Sequence, residues 1–102
     1  MKRFEICHEC PDSAHCVARL LSALDGLGLD LTLETTLATL PGSVHWHLRK
    51  RGERAGVLEY TMDSRRGTSW LSYQENRFQP WIDEAVGGLL AVGCEGEEKQ
   101  PG

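Results

Sequence analysis

Several things are missing from this chain, and each absence narrows what it can be. No stretch approaches the roughly 20 consecutive apolar residues needed to cross a bilayer. Basic charge is in deficit: the formal net charge is −4 over 102 residues. That deficit argues against nonspecific adhesion to nucleic acid or to anionic membranes, which need a positive field. No G-x-x-x-x-G-K, G-x-S-x-G or H-E-x-x-H occurs, which speaks against common nucleotide-binding and hydrolytic chemistry. The basic start, Met1-Lys2-Arg3, has no apolar run behind it. The expectation is therefore a chain without an export signal, in the reducing cytoplasm, with its four cysteines as thiols rather than disulfides.

What the chain does have is a crowd of soft ligands near its start: Cys7, His8, Cys10, His15 and Cys16. A C-x2-C pair converges two thiolates on one ion, and structural zinc then needs two more ligands. Cys7, Cys10, Cys16 and His15 form the candidate zinc set, with His8, His45, His47 or Cys94 as substitutes for the fourth position. There is no second C-x2-C and no H-x3–5-H, so the spacing matches no standard structural zinc site. A competing reading is thiol-disulfide exchange by Cys7 and Cys10, with Cys7 attacking. A strand runs through Cys7-His8-Glu9-Cys10-Pro11 into a helix, a setting that lowers a thiol pKa. Thr39-Leu40-Pro41 resembles the proline turn that thioredoxin-like proteins place beside such a pair. Three strands follow Pro41 where that fold has two, and the helix starts after the second cysteine. The plainest use of the cysteines is packing, since Cys is among the most often buried residue types.

Composition is that of one globular domain, 40% hydrophobic and 25% charged, and 102 residues can bury a single core. Residues 3–8 predict a short strand. Pro11-Asp12-Ser13 starts a helix over about 12–26, with Val17, Leu20, Leu21 and Leu24 at helical spacing. Leu29-Asp30-Leu31-Thr32-Leu33-Glu34-Thr35 alternates strictly, which predicts a half-buried strand. Three more strands follow over 43–50, 56–62 and 68–74, separated by polar, glycine-containing turns. From Gln79 or Pro80 the period is helical again, with Trp81, Ile82, Ala85, Val86, Leu89 and Leu90 on one face. The expected fold is α+β, ordered β-α-β-β-β-β-α. One mainly antiparallel sheet is covered on one face by two helices. Residues 1–92 form the single domain and 93–102 a disordered polar tail.

The meander carries a sharper expectation. Val44, Trp46 and Leu48 point to one face, and His45, His47 and Arg49 to the other. Leu58, Tyr60 and Met62 form the matching apolar set. Keeping both sets together requires an odd-length connection, and the three-residue case sets Trp46 opposite Tyr60 and His47 opposite Glu59. His45 and His47 then lie on one face about 7 Å apart, close enough to share a metal. The commoner use of such a pair is a polar outer face with Glu59 as cross-strand partner.

Arg49, Lys50, Arg51 and Arg54, with Arg65 and Arg66, suggest a nucleic-acid patch in linear sequence. The two groups sit at opposite ends of a strand, roughly 20 Å apart, which dilutes that reading. Trp70, Tyr73 and Trp81 could stack on bases, but residues of this kind more often pack.

The run Val44-His45-Trp46-His47-Leu48-Arg49, with Gly56-Val57-Leu58-Glu59-Tyr60-Thr61, Asn76-Arg77 and Trp81-Ile82, resembles a pattern in short uncharacterised bacterial proteins. It covers the C-terminal half of the chain and implies no activity, ligand or catalytic residue; the cysteine-rich start lies outside it. The functional expectation is a small cytosolic binding or regulatory module without catalysis. It would have an unidentified protein partner, the capacity to self-associate through open sheet edges and no membrane role. The alternatives are thiol-disulfide exchange by Cys7 and Cys10 and, less favoured, nucleic-acid binding by the arginine turns.

Overall fold

The computed structural model describes residues 1–7 and 12–92. The expected α+β order is present. Strand β1 spans Lys2–Cys7, helix α1 Ser13–Ala23, β2 Leu29–Thr35, β3 Ser43–Lys50, β4 Leu58–Asp63, β5 Thr68–Tyr73 and helix α2 Pro80–Val92. All strand pairs are antiparallel, in the spatial order β1-β5-β4-β3-β2. The first two strands are therefore the two edges. The tail over 93–102 lies outside the described residues.

Register follows from the apolar alternation. Trp46 stands opposite Tyr60 and His47 opposite Glu59, as the sequence requires. The Trp46 and Tyr60 rings stack at 4.9 Å and 18° on the inner face. Aromatic cross-strand pairs of this kind resist slippage, because a one-residue shift would drive Glu59 inward beside Trp46. The connection is longer than a three-residue turn: residues 51–57 separate the two strands. Its last bend depends on Gly56, at φ +97°, which lies against Trp81 and Gln79.

Both helices pack on the inner face. Helix α1 starts at Asp12, whose carboxylate accepts from the His15 backbone N–H at 3.1 Å, satisfying one free donor of the first turn. It is shorter than the predicted 12–26. The backbone tightens into a 3-10 turn over Asp25–Leu27 and leaves through Gly28, at φ +72°. Cys16, Leu20 and Leu24 join Trp81, Ile82, Ala85, Val86 and Leu89 of α2 over Leu48, Leu58, Tyr60, Met62 and Leu71. Trp81 also donates its indole N–H to the Ala55 carbonyl at 2.9 Å, tying α2 to the β3–β4 connection.

Strand β2 corrects an expectation. Its strict alternation predicts a half-buried strand, yet only Leu29 is buried, while Leu31 and Leu33 are 40% and 45% exposed. Two causes act together. As an edge strand it extends beyond the layer the helices cover, and a bulge between Leu31 and Leu33 breaks the period-2 pattern. Leu31 faces Leu48, but Leu33 comes opposite His47 on the other face.

Candidate metal centre

With both helices on one face, the other face of β3, β4 and β5 carries polar cross-strand rows. One row runs Thr35, His45, Thr61, Trp70 and Glu5, and the next Leu33, His47, Glu59, Ser72 and Arg3. Directly opposite residues share a face, so this layout follows from the register that stacks Trp46 on Tyr60.

The two rows meet in a compact group. The ligand atoms of His45, His47 and Glu59 all lie within 4.8 Å of one another. The imidazole rings of His45 and His47 are 5.2 Å apart, edge to face at 76°. Glu59 Oε1 sits 3.2 Å from His45 Nε2, both side chains being 13% exposed. The partner is thus the diagonal histidine rather than the directly opposite one. Diagonal neighbours across an antiparallel pair are within reach of long side chains.

His45 is held from behind as well. Its Nδ1 is 2.8 Å from Thr61 Oγ1, and Thr61 is 1% exposed. Without an ion, Nε2 carries a proton and donates to Glu59 Oε1, and Nδ1 accepts from the Thr61 hydroxyl. An ion between His45 and Glu59 would require the other tautomer, with Nδ1 donating to Thr61 and the Nε2 lone pair turned to the metal. A histidine whose second nitrogen is hydrogen-bonded has a fixed tautomer and ring orientation, the usual support of a metal ligand. The surroundings of His47 favour its neutral form. Burial lowers its pKa from 6.5, Glu59 opposes this, and the neighbouring His45, Arg77 and Arg49 lower it further. A neutral imidazole is the form that binds a metal.

Two nitrogen donors and one carboxylate oxygen suit a borderline ion of the zinc type. The residues present fit such an ion on chemical grounds.

The N-terminal set fares differently. Cys7 ends β1 at 1% exposure and Cys16 lies on the core side of α1 at 8% exposure; they share one hydrophobic cluster. Each is disulfide-bonded, where free thiols are expected from the sequence. A sulfur in a disulfide has no thiolate lone pair to give a metal, so zinc there requires the reduced protein. His15 is exposed; successive helix positions point about 100° apart, which turns it away from Cys16. Cys10, His8 and Cys94 lie outside the described residues. For the exchange reading, the burial of Cys7 keeps its sulfur from the access an attacking thiolate needs.

Part of the basic group is already engaged. Arg51 bonds both Asp25 and Asp30, at 2.7 and 2.8 Å, and Arg66 bonds Asp63 at 3.1 Å. Lys50 donates to the Leu27 carbonyl at 3.0 Å. Trp81 and Tyr73 are buried, whereas Trp70 lies on the outer face beneath the Arg3 guanidinium, 3.8 Å from its ring centre.

Sequence reasoning reaches His45, His47 and Glu59 but places them below the cysteines. The period-2 register is the signal that could have promoted them. No helix among the described residues is long and apolar enough to cross a membrane. No family model matches the chain, and neither a curated protein nor a solved structure shows significant similarity to it.

Proposed function

We propose that this protein is a small binding module that holds one divalent ion of the zinc type on the outer face of its sheet. His45 Nε2, the His47 imidazole and the Glu59 carboxylate are the ligands, and Thr61 orients His45. The observation that carries this reading is the convergence of the three donor atoms within 4.8 Å on adjacent strands. Strands are rigid supports, so the donors need little rearrangement to close on an ion. In the cytoplasm expected from the sequence, glutathione would hold Cys7 and Cys16 reduced. The histidine site is independent of that, because none of its ligands is a sulfur. Any protein partner or second copy would meet the module at its open edges, where Leu31 and Leu33 are exposed on β2.

Equilibrium dialysis against zinc, with the disulfides intact, tests the proposal. The full chain should take up about one equivalent. His45→Ala, His47→Ala and Glu59→Gln should each lower the affinity by at least about tenfold, since removing a ligand should cost no less than removing its supporting partner. Uptake only after reduction would move the ion to the cysteine set. No uptake in either state would end the metal reading.

A further inference from the structure

We propose that the ion's remaining coordination position takes an oxyanion, which Arg49 and Arg77 help to hold. This rests on the metal reading above and names what that site binds. A tetrahedral ion with three protein ligands keeps one position for an outside group. Here that position is reached from the outer face, because both helices lie on the other side of the sheet. Charge then selects the ligand. A divalent ion with one carboxylate and two neutral imidazoles carries a surplus of one positive charge.

The nearby arginines add to that surplus. Arg49 follows His47 by two residues on β3, so it shares the face, about 7 Å along the strand. Its cross-strand neighbour is Asp30, but the Asp30 carboxylate is engaged by Arg51 Nε at 2.8 Å. Arg77 stands in the turn that follows β5, five residues beyond Ser72, the cross-strand partner of Glu59. Among the described residues neither guanidinium has an ion-pair or side-chain hydrogen-bond partner, in contrast to those of Arg3, Arg51 and Arg66. Two unpaired guanidinium groups beside a cation are unfavourable until an anion joins them. A guanidinium fork matches the paired oxygens of a phosphate or carboxylate. One oxyanion bridging the ion and these forks neutralises the cluster.

The test is a titration of the cobalt(II)-loaded full chain with sodium phosphate at constant ionic strength, followed in the visible absorption of the metal. A saturable spectral change is expected. In the Arg49→Ala/Arg77→Ala double variant the apparent Kd for phosphate should rise by roughly tenfold or more, the loss expected for charge-assisted hydrogen bonds. Cobalt affinity should hold or improve, because two repelling charges are gone. If cobalt binds at one equivalent but phosphate leaves the spectrum unmoved, the oxyanion inference is wrong and the metal site stands. A double variant that titrates like the wild type would overturn the inference in the same way. If cobalt does not bind at all, the metal reading itself has failed, and this inference fails with it.

Discussion

Replacing Gly56 by alanine is a severe test of how the β3–β4 connection is built. A Cβ at this position would stand 2.8 Å from Trp81 Nε1, 2.9 Å from Gln79 Cγ and 3.1 Å from Trp81 Cε2. Gln79 can swing aside. Trp81 cannot do so cheaply, because its ring is 7% exposed within the core and its N–H is bonded to Ala55. Three costs follow. An L side chain at φ +97° is strained by about 1–2 kcal/mol. Displacing the indole forfeits a hydrogen bond worth about 1 kcal/mol. Overpacking around the ring adds roughly 1–3 kcal/mol. These overlap, so the lower part of the sum, about 3 kcal/mol, is the expected loss. For a domain of this size that lowers Tm by roughly 12–24 °C. Thermal unfolding followed by circular dichroism and by tryptophan fluorescence measures it. A variant within about 0.5 kcal/mol of the wild type would refute the role given to this contact, because that is the scatter of neutral surface changes.

Other perturbations have equally definite outcomes. Ile82→Ala, at a fully buried position of α2, should cost about 2–5 kcal/mol in a urea titration. Thr61→Val should leave stability within about 1–2 kcal/mol but weaken zinc binding by about 10- to 100-fold, because His45 loses its orienting partner. His47 makes the metal-free protein sensitive to acid. Its folded pKa is depressed by burial, so the unfolded chain binds more protons between that value and 6.5. Stability is complete above that window and falls as pH descends through it. His47→Gln should flatten this part of the pH profile of the urea midpoint. Arg77→Ala should raise the His47 pKa in an NMR titration, since the Arg77 charge lowers it. Opening the disulfides of the buried Cys7 and Cys16 with reductant should cost roughly 2–5 kcal/mol in the same unfolding assay.

How much of this is legible in the sequence depends on range. The meander register can be written down in advance, because alternation on two neighbouring strands leaves one pairing that buries Trp46 with Tyr60 and exposes Glu59. Helix α2 is equally plain from the spacing of Trp81, Ile82, Ala85, Val86 and Leu89. The bulge in β2 is not legible: nothing in Leu31-Thr32-Leu33 departs from ideal alternation, and only its pairing with β3 reveals the slip. Nor is the place of β1 beside β5, since that contact joins residues about 70 positions apart. The disulfides of Cys7 and Cys16 are not legible either, because the expected compartment points to thiols and the partners of a cysteine are set by the fold. At the candidate site, the residues are visible and their connection is not. Alternation sets Glu59 opposite His47, but the carboxylate bonds the diagonal His45, a side-chain choice that no periodicity encodes.

Whether the ion binds imidazole and carboxylate rather than sulfur is decided by X-ray absorption at the zinc edge. A first shell of nitrogen and oxygen at about 2.0–2.2 Å is expected, with outer-shell scattering from two imidazole rings. A shell of sulfur scatterers at about 2.3 Å would contradict the histidine site and place the metal among the cysteines.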